Sequence, residues 1–378
     1  MFIELHMIQN FAPSNLNRDD TNNPKDCEFG GHRRARISSQ SLKRAIRREP
    51  VFAQTTQAQS GERSKWMTRP IKQKLMDADK NTADARATAV AFVNEYAAKS
   101  DKKNPEKSSV LIYFSEEEIQ MVVDGLLADW DAAVAAAQNG KSLPDVIKVI
   151  SKQTEKRTSA PDIALFGRML AEKPSLNIDA ACQVAHAIST HRISMEMDFY
   201  TAVDDLKDPE EDAEEGAGAA MMGFTSFNSA CFYRYARIDW NQLVKNLDNN
   251  AALAQRTVEG FLRAALDAIP TGKQNSFAAQ NPTSLAVAVV REDGKSWNLA
   301  NAFENPVRPK GNTGLIEPSI QALDTFWGNL TRTRDDASFT AVAAYTDQYP
   351  NALNELRPYY RPNISGWISA VNAVLPKE

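Results

Sequence analysis

The stretch that decides both the fold and the chemistry is Gly30 to Arg48, GGHRRARISSQSLKRAIRR. It contains seven arginine and lysine residues and no acid, whereas the whole chain has a net charge of −4, so everything outside the stretch carries a net −11. In its first half, HRRARI, the period of a strand puts Arg34 and Arg36 on one face and Ala35 and Ile37 on the other. The pattern predicts a strand with one basic face and one packed face, followed by a helix.

The predicted helix, SSQSLKRAIRR, combines an apolar stripe with closely spaced cations. Lys43 and Arg47 are four residues apart, and like charges at that spacing mildly destabilise an isolated helix. A bound anion would relieve the repulsion, and the free N–H groups at the start of a helix, beside Ser38 and Gln40, form a ready anion site. We expect the strand and helix to bind consecutive phosphates. A solvated amphipathic helix is the alternative.

The overall composition is that of an ordinary globular protein. With 378 residues, of which 43% are hydrophobic and 24% charged, the chain has material for about two to three domains. Its apolar runs are far shorter than the about 20 residues that a transmembrane helix needs, so we expect no membrane association. The first residues lack a signal-peptide pattern, and the three scattered cysteines fit neither a disulfide framework nor a Cys-x-x-Cys site. We expect a cytoplasmic protein with free thiols, no metal and no other cofactor.

Strand and helix patterns are interspersed along the chain. Strand patterns occur at Phe2 to Ile8, Val110 to Phe114, Ala230 to Ile238 and Leu285 to Val290. Helical patterns occur at Glu116 to Asn139, at Leu253 to Leu266 and at Asp179 to Arg192. The first of these helices follows a capping box formed by Ser115 and Glu118. Because the βαβ spacing and the Gly-rich nucleotide turn of a doubly wound fold are absent from the sequence, the pattern favours an α+β fold.

A second charged segment is acidic. DDLKDPEEDAEE, Asp204 to Glu215, contains eight acids and one lysine and is followed by GAGAA. A run of this kind is typical of an exposed loop.

The main enzymatic alternative is a metal-dependent RNA nuclease. Asp19, Asp20 and Asp26 lie close together in the sequence just before the basic stretch, and clustered carboxylates can hold a metal ion for phosphodiester hydrolysis. No correctly spaced His or Glu partner is visible nearby in the sequence.

Two further patterns admit a simple structural interpretation. His186 and His191 lie on a predicted helix at about 140° from one another, which argues against a shared zinc ion. Phe232, Tyr233 and Tyr235 alternate with arginines as on an RNA-stacking strand, but an aromatic strand of this kind more often belongs to a core. The core interpretation is favoured.

Several sequence blocks together resemble one known family. NLNRDD at 15–20 and FGGHRRARISSQSLKRAIR at 29–47 are followed, in family order, by DIALFGRM (162–169), AHAISTH (185–191), DFYTAVDDL (198–206), FYRYARI (232–238), NPTSLAVAV (281–289), LANAFE (299–304) and PSIQAL (318–323). These blocks resemble the CasC family, the repeated crRNA-binding backbone subunit of the type I-E CRISPR Cascade complex. The segment between 50 and 160 resembles it least.

The resemblance implies an α+β fold with a modified RRM-like (ferredoxin-like) palm, an inserted helical finger domain and a β-hairpin thumb. The implied domain limits are 1–58 for the first part of the palm, 59–175 for the mostly helical finger, 176–192 for a palm helix, 193–226 for the thumb with its acidic tip, and 227–378 for the second part of the palm and the C-terminal region.

The resemblance also implies a function without catalysis. Members of the family stack in several copies along one crRNA, grip its backbone and present its bases to target DNA. The implied partners are therefore crRNA, target DNA by way of the guide, other copies of the chain and other Cascade subunits.

The candidate crRNA-binding residues combine the basic strand and helix with positions that match the family motifs. They are Arg18, Lys25, His32, Arg34, Arg36, Ser38, Gln40, Lys43, Arg44, Arg47 and Met169. His32 stands where the family resemblance leads us to expect a lysine. The resemblance adds Phe199 and Tyr200 as nucleic-acid contacts on the thumb.

Overall fold

One large antiparallel sheet organises the chain. The computed structural model describes residues 1–143, 145–202, 221–293, 295–336 and 338–376. Its strands are β1 (Phe2–Ser14), β2 (Asp26–Phe29), β3 (His32–Ile37), β4 (Glu62–Ser64), β5 (Ile112–Phe114), β6 (Cys182–Val184), β7 (Ala187–Ser189), β8 (Glu196–Ala202), β9 (Met221–Asp239), β10 (Thr283–Arg291) and β11 (Phe339–Thr346). The sheet order is β11-β10-β1-β9-β7-β3-β2, and β6 and β8 also pair with β9. A separate ribbon consists of β4 and β5.

The strands form where apolar and β-branched residues accumulate. Every residue of β10 is buried, because helices and loops cover both faces of the sheet at its centre. The strands expected from the sequence at 2–8, 230–238 and 285–290 are confirmed as parts of β1, β9 and β10. The strand expected at 110–114 is confirmed only from Ile112, where β5 begins. The mixture of this antiparallel sheet with many helices confirms the α+β class.

Several helices of the described residues begin at a residue whose side chain caps the helix. The helices are α1 (Ser39–Arg48), α2 (Pro50–Thr56), α3 (Thr68–Asp77), α4 (Thr82–Tyr96), α5 (Glu116–Ala128), α6 (Trp130–Gln138), α7 (Val146–Gln153), α8 (Pro161–Phe166), α9 (Trp240–Asn246), α10 (Ala251–Asp267), α11 (Gln274–Phe277), α12 (Ile316–Thr333) and α13 (Ile364–Asn372). The capping box at the start of α5 is present. The single helix expected over 116–139 is two helices, because Asp129 has φ −140° and ψ 57° and interrupts the helical backbone. Nowhere in the described ranges is a helix both long and apolar enough to cross a membrane.

The cores explain how these elements pack. α2, α9, α10 and α13 pack on one face of the sheet, and α12 packs on the other. The helices and ribbon between β4 and α7 have a core of their own, which runs from Met67 to Leu176. Phe232 and Tyr233 are 3% and 2% exposed, so the core interpretation of the aromatic strand is confirmed for these two rings.

The helix expected over 179–192, and with it the palm helix assigned to 176–192, is wrong. This segment forms β6 and β7, which pair with β9 and, in the case of β7, also with β3. Its backbone groups are needed to join the basic strand β3 to the rest of the sheet, and this tertiary pairing overrides the local helical preference. The argument that His186 and His191 lie 140° apart on a helix therefore does not apply.

Candidate nucleic-acid interface

A tight turn presents the basic strand. β2 and β3 are joined by Gly30 and Gly31, which have φ +59° and +70°, a conformation that glycine adopts without strain. A side chain at Gly30 would place its Cβ 2.1 Å from the carbonyl oxygen of Glu304. The turn is therefore pressed against the segment that ends at Glu304, and His32, half-buried, follows it directly.

Hydrogen bonds attach the loop before β2 to β3 and to the start of α1. The Arg36 N–H donates to the Lys25 carbonyl (2.9 Å), and the Ser38 N–H donates to Asn17 Oδ1 (2.8 Å). The Ser38 hydroxyl caps α1 by accepting from the Ser41 N–H (3.3 Å), and Ser38 is buried. The Ser38 hydroxyl therefore satisfies one of the first N–H groups of the helix, and the side chain of Gln40 is the exposed polar group at this helix end.

The remaining polar candidates form what we call the basic surface. It comprises the exposed or half-buried side chains of Arg18, Lys25, His32, Arg36, Gln40, Lys43 and Arg44. Within the described residues the Arg18 side chain donates to Asn22 Oδ1 alone (3.2 Å), and Lys43 Nζ lies 5.7 Å from the ring centre of Phe166. These cations remain accessible from solvent on the connected elements β3, α1 and the preceding loop.

His186 belongs to the same surface and was not chosen as a nucleic-acid candidate from the sequence. Arg36 Nη1 donates to His186 Nδ1 (3.0 Å). Partial burial, reinforced by the positive charges of Arg36 and Lys25, lowers the pKa of His186 below its ordinary value. The sequence offered the AHAISTH block as a signal, but the contact requires the pairing of β3 with β7.

Arg34 does not belong to the basic surface. Its side chain is fully buried and donates to the carbonyl oxygens of Phe29 (3.3 Å), Ser189 (3.1 Å), Phe303 (2.8 Å) and Glu304 (3.0 Å). Strand alternation alone predicts a basic face shared with Arg36, but the neighbouring chain covers that face at Arg34. The expectation of an RNA contact at Arg34 is therefore corrected to an internal structural role.

Arg47 is also turned inward, although less completely. Its side chain is 15% exposed, its Nε lies 3.3 Å from Asp162 Oδ2, and its Nη2 donates to the Gly61 carbonyl (3.0 Å). The guanidinium carbon lies 4.8 Å from the ring centre of Tyr113. Arg47 therefore belongs to the basic helix, but its guanidinium lies beside the buried carboxylate of Asp162.

Met169 is 83% exposed and lies three residues after Phe166, whose ring lies against Lys43 of the basic surface. α8 is followed by Gly167, whose φ is +76° and where a Cβ would lie 2.7 Å from the Ile178 carbonyl oxygen. The chain turns sharply there, only one residue after Phe166, which contacts Lys43. An exposed methionine at this position is available to contact a ligand of the basic surface.

The hairpin of β8 and β9 carries further exposed apolar side chains. Phe199 is paired with Phe224 across the strands, and their ring centres are 5.2 Å apart. Phe199 and Tyr200 are 51% and 43% exposed, whereas Phe224 and Met197, which the sequence patterns did not single out, are 69% and 70% exposed. Only the register reveals that Phe224 shares a face with Phe199. The acidic run 204–215 lies outside the described residues.

The acidic candidates are engaged in local contacts. Asp19 Oδ1 accepts from the Thr21 hydroxyl (2.8 Å) and from the N–H groups of Thr21 and Asn23 (2.9 Å each), and the Thr21 hydrogen bond is the main cause that lowers the pKa of Asp19. Asp26 forms an ion pair with Arg33. In the part of the chain that the structure describes, His, Cys, Asp and Glu side chains form no group of three or more that could hold a metal ion.

Accessible cations and exposed aromatic and methionine side chains on the same chain are typical of proteins that bind single-stranded nucleic acid through its backbone and by stacking. The chain belongs to the CT1975-like protein family, which it matches over residues 3–359. The resemblance to a subunit of a CRISPR Cascade complex is thereby confirmed.

Two solved structures are similar along the whole chain. A chain of a "CRISPR RNA-guided surveillance complex, pre-nicking" has 30% identity and a TM-score of 0.85, with 100% of both chains covered. A chain of a "CRISPR RNA-guided surveillance complex" has 26% identity and a TM-score of 0.74, with 99% of both chains covered. No curated protein sequence matches.

Proposed function

We propose that this chain is a non-catalytic backbone subunit of a CRISPR RNA-guided surveillance complex of the type I-E Cascade kind. Several copies polymerise along one crRNA, hold its phosphates and present its bases for pairing with target DNA, in contact with other Cascade subunits. The observation that carries this proposal is the basic surface, an accessible group of cations in a chain that is otherwise acidic.

The chemistry of the basic surface favours backbone recognition. Arginine, lysine and glutamine side chains near a helix N-terminus suit phosphate oxygens, and such contacts position a strand without reading its sequence. A guide must be held regardless of its sequence while its base edges stay free. This requirement matches a surface of cations better than a deep, base-specific pocket.

The remaining parts of the proposal assign the domains. We assign the RRM-like palm to the large sheet with its covering helices, the finger to residues 59–175, and the thumb to the hairpin of β8 and β9. The exposed rings of Phe199 and Phe224 would contact nucleic acid, since every base offers a face for stacking.

A metal-dependent RNA nuclease is the less favoured alternative. Its three carboxylates were Asp19, Asp20 and Asp26, but Asp19 closes its own loop and Asp26 pairs with Arg33. Both carboxylates therefore have a structural explanation that requires no metal.

The proposal is tested by the salt dependence of RNA binding. For single strands, the logarithm of the binding constant falls by about 0.7 per phosphate contact for each unit in the logarithm of salt concentration. We expect Lys43→Ala and Arg44→Ala each to flatten that slope by about one contact, measured by fluorescence anisotropy with single-stranded RNA of mixed sequence.

Lys245→Ala is the matched control, since Lys245 is an exposed lysine of α9 outside the basic surface. It should leave the slope unchanged. Unchanged slopes in both Lys43→Ala and Arg44→Ala would remove α1 from the RNA-binding site and overturn the proposal.

Polymerisation along RNA has a separate test. Native mass spectrometry of the complex purified from its host should show several copies of the chain with one bound RNA. A chain recovered only as a bare monomer would contradict the proposed assembly.

A further inference from the structure

A buried acid meets the basic helix at the place where the helical segment 59–175 joins the sheet domain. The Asp162 side chain is fully buried, and donors surround its carboxylate. Oδ1 accepts from the N–H groups of Gly61 (2.7 Å) and Ile163 (3.0 Å), and Oδ2 accepts from the Tyr113 hydroxyl (2.5 Å). Arg47 forms an ion pair with the same carboxylate, with Nε 3.3 Å from Oδ2.

These contacts join four separate parts of the chain. Arg47 comes from α1, Gly61 from the chain entering the helical segment, Tyr113 from β5 and Asp162 from α8 at its exit. A Cβ at Gly61 would lie 2.6 Å from Ile163 and 2.9 Å from Tyr113, so the four parts meet with no spare room. One carboxylate therefore connects the basic helix with both ends of the helical segment.

The contacts also determine which way Arg47 faces. Nη2 donates to the Gly61 carbonyl, the guanidinium lies at ion-pair distance from Asp162 without the alignment of a hydrogen bond from Nε, and the Tyr113 ring lies against the guanidinium carbon. In the described residues, Nη1 has no hydrogen-bond partner of its own. The arrangement fixes the plane of the guanidinium and leaves one edge for a phosphate oxygen, a geometry that arginine provides and lysine does not.

We propose that Asp162 is a positioning residue for RNA binding, which holds Arg47 in the orientation that contacts a phosphate. Because Asp162 also joins both ends of the helical segment 59–175, it fixes the position of that phosphate contact relative to the segment. This inference rests on the proposed function of the basic surface. The inference predicts a change in RNA affinity opposite to the one that charge alone predicts. Simple electrostatics says that removing an acid beside a cationic helix tightens binding to a polyanion, whereas a positioning role says that binding weakens.

The test uses Asp162→Asn in the full-length chain, with single-stranded RNA of mixed sequence as the probe. Asparagine keeps the size and one acceptor oxygen but removes the charge that holds Arg47. We expect the affinity to fall about tenfold, the order of one charge-assisted hydrogen bond. In the Arg47→Ala background, Asp162→Asn should cause no further loss.

Two variants act as controls. Glu49→Gln removes a negative charge next to the same helix, because Glu49 is the C-terminal capping residue of α1. Glu49 has no ion-pair partner in the described residues. The Glu49→Gln variant should therefore bind RNA as well as wild type or better. Tyr113→Phe keeps the ring on Arg47 but removes one hydrogen bond to Asp162. It should weaken binding less than Asp162→Asn, and that loss should also vanish in the Arg47→Ala background. If Asp162→Asn does not fold, the comparison of Tyr113→Phe with and without Arg47→Ala tests the positioning role in its place.

The outcomes separate the two levels of the proposal. Tighter binding of Asp162→Asn, or an equal loss with and without Arg47, would overturn the positioning role while the proposed function stands. A wild-type chain that does not bind RNA at all would instead overturn the proposed function.

Discussion

Replacing Arg34 by methionine tests whether this arginine is structural or contacts RNA. Strand alternation in HRRARI places Arg34 on a basic face, but the folded chain encloses it, and it donates to four backbone carbonyl oxygens. Methionine fills much of the same space without a donor. The variant therefore leaves those carbonyls without their partner in a buried site.

The magnitude follows from the hydrogen bonds. Each net hydrogen bond contributes about 1 kcal/mol, so the loss of all of them lowers the free energy of unfolding by about 4 kcal/mol. That is a large part of the about 5–15 kcal/mol that stabilises a typical protein.

Urea unfolding followed by circular dichroism measures the change, and RNA anisotropy under native conditions measures binding. Arg33→Met is the matched control. The Arg33 side chain is 61% exposed and forms a surface ion pair with Asp26. Pairs of this kind contribute at most about 1 kcal/mol, so the control should unfold almost as wild type does.

The result that would refute the structural role is specific. If Arg34→Met lost less than about 1 kcal/mol of stability and yet bound RNA weakly, Arg34 would face the RNA as the alternation predicts, and its enclosure by the chain would be wrong.

Two further predictions concern the β2–β3 turn and the thiols. Gly31→Ala should cost about 1 kcal/mol of unfolding free energy because of its φ of +70°. Gly30→Ala should cost at least about twice as much, since its Cβ would also overlap a carbonyl oxygen at 2.1 Å. Urea unfolding measures the free energy of unfolding of both variants. Burial raises the pKa of Cys182 to about 12 and of Cys231 to about 11, whereas Cys27 is only half-buried. Iodoacetamide followed by mass spectrometry should therefore modify Cys27 alone in the folded protein, and rapid labelling of either buried thiol would contradict their placement.

Much of the fold follows from local sequence patterns. The strands inside β1, β9 and β10 were predictable because their apolar and β-branched residues are buried in a sheet covered on both faces. The start of α5 was predictable because a capping box acts within one turn of the helix. The segment 179–192 was mispredicted for the opposite reason. Its strands exist only because β9 and β3 supply partners that are distant in sequence.

The candidate site also has features that the sequence determines and features that only the tertiary structure decides. The concentration of cations in Gly30 to Arg48 is a property of the sequence itself, since charge depends on composition and not on folding. Which of those cations faces solvent was decided by tertiary structure. Arg34 and Arg36 are equivalent by alternation, yet Arg34 is fully buried and donates to four backbone carbonyl oxygens, whereas Arg36 is half-buried and donates to one, that of Asp26.

The long-range partners were also beyond the sequence. Asp162 bonds to the Gly61 N–H across 101 residues, and Phe199 meets Phe224 only through the register of a hairpin. Sequence periodicity specifies which side of an element is apolar, because neighbours along one element are fixed by its geometry. Contacts between elements depend on how whole elements pack, and it is this packing that makes a buried acid the partner of Arg47.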